Sequence, residues 1–201
     1  MKRPSYSVYY VTSALFGQHF CVSSALMEAL IIKLETTVGV QTYKLYGPIY
    51  SYVESGLTKT TSVPITAMTS EGKMQYWDFG NGRRASKPSI ARQVREAHAA
   101  SEGVERVVVF KEDLRTNQVE WTNRKIALAY LFQGRNLDTS KREAGVLTAI
   151  PEHKFSLGSL AQHLGLTNAQ AYHVFLRCWL KGRLTWDLTR VPLSLNMEVA
   201  R

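Results

Sequence analysis

Two cysteines in 201 residues are too few for a disulfide framework, and Cys21 and Cys178 stand at no metal-ligand spacing. Both lie among apolar residues, a pattern that predicts buried thiols in a reducing compartment. No apolar run approaches the roughly 18 residues that mark a membrane span. The opening MKRPSYSVYY has no apolar h-region of a secretory signal. These absences predict a cytoplasmic protein with no membrane partner. The histidines at 19, 98, 153, 163 and 173 have no ligand spacing, so no zinc motif is assigned. No Ser/His/Asp or Cys/His grouping marks a nucleophilic enzyme, and no repeat, heptad or low-complexity tract is present. Acidic charge is also scarce. Against 25 Lys and Arg there are 16 Asp and Glu, a net charge of +9 that favours a polyanionic partner.

What is present is ordinary globular material, 45% hydrophobic and 20% charged. The length suits one large domain or two small ones. Residues 1–122 carry 14 basic and 11 acidic side chains, net +3, whereas 123–201 carry 11 and 5, net +6. The excess is concentrated toward the C-terminus, which points the search for an anionic partner there.

The first 23 residues are extended in character and rich in aromatics. Ser24 can cap a helix to about Thr36 with Met27, Leu30, Ile31 and Leu34 facing inward. Glu28 and Glu35 fall on one face of it, and both are expected to be solvated. Residues 40–53 read as β-structure interrupted at Gly47-Pro48. Two strands, 60–69 and 73–79, flank the turn Ser70-Glu71-Gly72. A basic loop follows, with Arg83, Arg84 and Lys87, then Pro88 at the N1 position of a helix to about Ser101. Its expected inner stripe is Ile90, Val94 and Ala97. VERVVVF, 104–110, reads as a fully buried strand. Strand pair, crossover helix and strand predict a mixed α/β (α+β) sheet. Asn123 is the expected cap of a helix with Ile126, Leu128, Ala129 and Phe132 on its apolar face. The domain boundary is expected near Asp138, dividing 1–137 from 138–201.

The C-terminal stretch is the most regular. Ser156 caps a helix carrying Leu157, Leu160 and Leu164, and Gly165 ends it. Thr167 and Gln170 form a capping box before a second helix with the stripe Ala171, Val174, Phe175 and Cys178. Lys181-Gly182-Arg183 turns the chain into Leu184–Leu188, whose alternation predicts a strand. Helix, turn, helix and strand is the order of a winged helix-turn-helix, whose second helix can enter the major groove of DNA. On the outward side the expected contacts are Asn168, Gln170, His173 and Arg177, with Lys181 and Arg183 in the basic turn.

The element order together with GRLTWDLTRVPLSLNMEV resembles the TnsA-like family, the endonuclease subunits of heteromeric transposases. The matching positions are Gly182-Arg183-Leu184, Asp187-Leu188 and Pro192-Leu193, and VVVFKEDLRTNQVEWTN also resembles the family's passage after the crossover helix. The resemblance implies a restriction-endonuclease-like mixed sheet followed by a helical, winged-helix-like C-terminal domain. It also implies a transposase subunit and an AAA+ ATPase regulator as partners, beside double-stranded DNA.

Nuclease chemistry of that kind needs carboxylates holding Mg²⁺ and a lysine near the attacked phosphate. The resemblance puts the helix carboxylate at Glu28 and a strand carboxylate at Asp78. The second-strand acid should fall in 60–69, which contains none, and Gly80 stands where the lysine is required. The expectation is therefore a DNA-binding subunit whose cleavage is lost or strongly reduced, needing no cofactor to bind. The alternatives are an active Mg²⁺-dependent endonuclease with Glu28 and Asp78 as metal ligands, a winged-helix transcriptional regulator, and an interaction protein with no nucleic-acid role.

Overall fold

The computed structural model describes residues 8–80, 88–110, 112–113, 117–150 and 155–200. In chain order its elements are β1 (Tyr9–Ser13), β2 (Gln18–Val22), α1 (Ala25–Glu35), β3 (Val40–Leu45), β4 (Ile49–Glu54), β5 (Leu57–Ser62), β6 (Ile65–Thr69) and β7 (Met74–Gly80). Then come α2 (Ile90–Ser101), β8 (Glu105–Phe110), α3 (Gln118–Gln133), α4 (Ser140–Ala149), β9 (Phe155–Ser156), α5 (Leu157–His163), α6 (Asn168–Leu180) and β10 (Glu198–Val199). The protein is of mixed α and β class, as expected. Its contacts group into two units. One collects Met1–Tyr9, Ser23–Leu30 and Val40–Thr116, the other Tyr10–Val22, Ile31–Gly39 and Asn117–Arg201. Residues 117–137 thus group with the C-terminal residues, whereas the composition suggested a division at 137/138.

The first unit is built on a sheet in the order β3-β6-β7-β8, antiparallel except for the parallel pair β7–β8. A parallel pair needs a crossover, and α2 supplies it. The central strand β7 is covered on both faces, with Tyr76, Trp77 and Asp78 buried in succession. Strand β8 has one partner, so only Val109 of it is fully buried and the expected continuous burial is not realised. The strand expected over 60–69 is divided, because Pro64 has no N–H to give a ladder; β5 ends before it and β6 begins after it. The β4–β5 hairpin pairs Glu54 with Leu57 across Ser55-Gly56. Both turn residues have positive φ, 54° and 76°, the type I′ geometry that matches strand twist.

Helix α2 begins two residues later than Pro88 at N1 would require. Ser89 is its N-cap, accepting from the Arg92 N–H, and Pro88 precedes it. The expected stripe is rotated as well, since Ile90 and Ala97 are exposed while Ala99 is buried and Arg95 turns inward. The cause is a buried carboxylate on β7, treated below.

The second unit has an aliphatic and aromatic core around α6, including Leu131, Val146, Leu160, Val174, Phe175 and Leu176. Strands β9 and β10 form a two-residue antiparallel pair. Three expectations fail here. Glu35 is buried rather than solvated; the Ser13 hydroxyl and the N–H groups of Ala14 and Leu15 donate to it, both N–H bonds at 3.1 Å. Cys21 is exposed, and only Cys178 is a buried thiol.

The third concerns Asn123, which is not a cap. Asn117 caps α3 by accepting from the Glu120 N–H, and the longer helix turns Trp121, Leu128 and Leu131 inward while leaving Ile126 and Ala129 exposed. Asn123 is 2% exposed in mid-helix. Its amide donates to the Leu188 and Val191 carbonyls at 2.8 and 2.9 Å and accepts from the Leu193 N–H at 2.9 Å. Those groups are therefore unavailable to a ladder, and residues 184–188 form no strand beyond one bridge, Thr185 to Ala200. Asp187 bonds Thr189 and the Trp186 indole donates to Val191, closing the same loop. Elsewhere, Arg124 donates to the Thr36 carbonyl at 2.8 Å, serving an orphan acceptor just beyond the end of α1.

Asn123→Ala removes three hydrogen bonds to buried or partly buried backbone groups, and at about 1 kcal/mol each the expected loss is about 3 kcal/mol in urea unfolding. A loss below about 1 kcal/mol would show that the loop stands without this anchor.

Candidate nucleic-acid interface

The strand carboxylate expected to hold metal is already occupied. Asp78 is 1% exposed. Arg95 from α2 donates to it through Nε at 2.9 Å and Nη2 at 3.0 Å, a bidentate pair. Arg106 from β8 adds Nη2 at 2.9 Å, and the Phe79 N–H donates at 2.8 Å. Four donors fill the roughly four lone-pair positions of a carboxylate. The second face of Arg106 is anchored by Glu96, 3.0 Å from Nη1, and Arg95 reaches Thr61 Oγ1 at 2.5 Å. Asp78 is thus the hub joining β7, β8, α2 and β5. Glu28 lies half-buried in the first turn of α1 and is bonded to neither Asp78 nor its arginines. Among the described residues, no group of three His, Cys, Asp or Glu side chains could hold a metal ion.

Beside this hub lies a cleft of about 510 Å³, lined among others by Tyr46, Thr60, Ser62, Phe79, Arg92 and Arg95. Gly80 explains how Arg92 comes to rest there. A Cβ at 80 would stand 2.5 Å from Cδ1 of Phe110 and 3.1 Å from Nη1 of Arg92, so that space belongs to those two side chains. At the position where the resemblance requires a lysine, the structure has a guanidinium borne by another element. Arg83, Arg84 and Lys87, the predicted basic loop, lie outside the described residues.

In the C-terminal stretch, the local chemistry read from the sequence holds. Ser156 caps α5, Gly165 takes φ +63° at the turn, and the Thr167/Gln170 capping box starts α6. Both halves of that box are made, so the Gln170 carboxamide accepts from the Thr167 N–H at 3.1 Å and is committed to the cap. Asn168 and Arg177 are exposed, with Lys181 and Arg183 on the turn after the helix.

His173 is not on the outward face. It is 3% exposed, its Nδ1 lies 3.1 Å from the Tyr130 carbonyl, and its ring fills the space over Gly134. Burial holds its pKa below the usual histidine range, outweighing the Tyr130 contact. A neutral packed imidazole cannot read a base edge. Cys178 is likewise inert, its thiol pushed up to about 11 by burial.

The three remaining cations share a partner that the sequence did not reveal. Glu143 on α4 is buried, and Lys181 Nζ approaches its Oε2 at 2.5 Å. Arg177 Nε stands 3.4 Å from Oε1 and Arg183 Nη1 4.0 Å from Oε2. Thr139 donates to the same carboxylate at 2.7 Å. One negative charge thus gathers three positive ones, leaving a local excess of two. The side chains of Arg177, Lys181 and Arg183 stay 44%, 40% and 53% exposed, so their remaining donors face solvent. In sequence Glu143 was one charge in a polar segment, with nothing to mark it as a hub.

Burial alone would raise the Glu143 carboxyl, but bonds from Lys181 and Thr139 and the charges of Lys181 and Arg177 hold its pKa below the ordinary value. A depressed folded-state pKa gives stability that is present above the unfolded pKa, about 4.3, and is lost as pH falls through the folded value. Glu143→Gln should therefore lower the melting temperature at pH 7, and its gap to wild type should close as melts are taken down to pH 3. A gap independent of pH would mean the carboxylate is not ionised in this cluster. At the other hub, Asp78→Ala leaves the poorly exposed Arg95 without a carboxylate and Arg106 with Glu96 alone, with an expected cost of about 3 kcal/mol in denaturant unfolding.

No protein-family model matches the chain, and a comparison with curated proteins finds no match either.

Proposed function

We propose that this protein is a DNA-binding, TnsA-like subunit of a transposition machinery whose cleavage activity is lost or strongly reduced. The observation that carries the reading is Asp78, the acid expected to bind metal, spent on two arginines in the interior. A carboxylate so engaged would have to break two guanidinium pairs before it could ligate Mg²⁺. The absence of an acid from 60–69 and the glycine at 80 favour the same reading. In this proposal the first unit is a restriction-endonuclease-like domain kept for binding, and the α5–α6 pair with its short β9–β10 ribbon is the winged-helix-like part.

Arg177, Lys181 and Arg183 would neutralise phosphates, and Asn168 at the exposed start of α6 would contact a base edge or backbone. Gln170 would act by fixing the helix start, and His173 has no part in the contact. Arg83, Arg84 and Lys87 remain in the proposed interface on charge alone. The reading brings a transposase subunit and an AAA+ ATPase as partners, and Mg²⁺ only for whatever cleavage survives.

The test uses purified full-length protein with linear duplex and supercoiled plasmid, in Mg²⁺ or Mn²⁺. Duplex binding should weaken steeply with salt, and changing Arg177, Lys181 and Arg183 together to Gln should reduce the log–log slope by about 1–3. Nicking should be absent. Cleavage that vanishes in a normally folded Glu28→Gln protein would favour the active-endonuclease alternative instead; Asp78 variants cannot decide this, because they remove a structural ion pair. Failure to bind any duplex at low salt would sink the DNA reading altogether.

A further inference from the structure

Among the described residues, Arg92 lines the cleft without pairing with a carboxylate, unlike Arg95. Arg95 and Arg106 both close on Asp78, whereas among the described residues Arg92 has no ion pair or side-chain hydrogen bond, and its Nε is buried without a partner. Its guanidinium carbon sits 5.3 Å from the Phe110 ring centroid. A ring contact supplies no oxygen acceptor for the guanidinium donors. Buried donors are almost always paired in folded proteins; Arg106 Nε is also without a partner, but of the two only Arg92 lines this cleft and pairs with no carboxylate among the described residues.

The rest of the lining says what kind of acceptor fits. Hydroxyls of Thr60, Ser62 and Tyr46 line the same space, and among the described residues no carboxylate does. Asp78 lies behind Arg95 and is already balanced by it. The cleft is therefore positive, rich in donors and free of the groups that would repel an anion or bind a metal. Its volume of about 510 Å³ falls within the range of small-molecule sites. Tyr46, at its rim, holds φ 57°, a conformation uncommon for any residue but glycine, and the N–H groups of Tyr46 and Gly47 pin it by bonding the carbonyls of Pro64 and Val63, both at 2.8 Å.

We propose that this cleft binds a phosphate group without metal, with the Arg92 guanidinium as its principal contact and neighbouring hydroxyls completing the shell. A planar fork of N–H donors suits two oxygens of a tetrahedral oxyanion. The phosphate could belong to a free phosphomonoester or to a nucleotide, and the chemistry of recognition is the same for both. The inference does not rest on DNA contact by the C-terminal helices, because every residue it uses belongs to the first unit.

The experiment follows arginine Nε–H resonances of ¹⁵N-labelled full-length protein during titration with inorganic phosphate and, separately, a 5′-phosphorylated thymidine dinucleotide. One resonance, identified by its disappearance in Arg92→Gln, should move saturably. Affinity in Arg92→Gln, followed by the backbone amides of 60–62, should fall about tenfold or more, and Arg92→Lys should restore part of it. Equal affinity for the two probes assigns a free phosphate, and a tighter dinucleotide assigns a nucleic-acid source; both support the site. The Arg177/Lys181/Arg183 triple variant should respond to phosphate as wild type does, whatever its duplex binding. No saturable shift with either probe, or unchanged affinity in an Arg92→Gln protein that melts like wild type, overturns the proposal.

Discussion

A charge buried in the middle of a sheet has to be matched before the strands around it can close, and Asp78 is that charge. Isolated in an apolar interior, its carboxylate would be protonated or would prevent burial. Arg95 and Arg106 meet it from α2 and β8, so the crossover helix is set by an ion pair as much as by apolar packing. This is why α2 turns an arginine inward and leaves Ile90 in solvent. The same demand decides the character of the neighbouring cleft. With Asp78 held by its arginines, the cleft presents guanidinium and hydroxyl groups beside Met27, Pro64 and Phe79.

The second unit relies on polar hubs of the same kind in a more apolar setting. Asn123 ties the loop after α6 to the middle of α3 through both ends of its amide. Glu143 gathers Arg177, Lys181 and Arg183 from α6 and the turn that follows. In each case one buried polar side chain organises several segments remote in sequence, because leaving it unpaired would cost more than any surface contact returns. Glu143 also has a directional effect. By drawing three long cations toward one point it gives an otherwise diffuse basic surface a centre.

Sequence patterns governed by neighbouring residues were legible. The helix starting after Ser24, the Ser156 cap, the Gly165 stop and the Thr167/Gln170 box all depend on atoms within four residues of one another, and they stand as read. What escaped was every polar residue whose partner lies far along the chain. Asn123 has the composition of a cap and acts 65 to 70 residues away. Glu35 looked like a solvated face because Ser13, Ala14 and Leu15 are 20 to 22 residues distant. Leu184–Leu188 has the alternation of a strand, yet its backbone is claimed by Asn123 and by its own turn. His173 shares the helical face of Gln170 and Arg177 only on a coarse wheel; one step of rotation carries it into the core. Arg92 could not be told from any other charge on the polar side of α2, since its distinction is pairing with no carboxylate among the described residues.

Gly134 closes α3 without needing the freedom of a glycine, for its φ is −87°. What it supplies is empty space, taken up by the imidazole of His173, and any Cβ there would coincide with the ring. In this chain, a side chain at 134 would therefore need the ring at 173 to shift or shrink. Such a change would also move the Tyr130 carbonyl's partner. The pair thus sets how closely α3 and α6 approach in this protein.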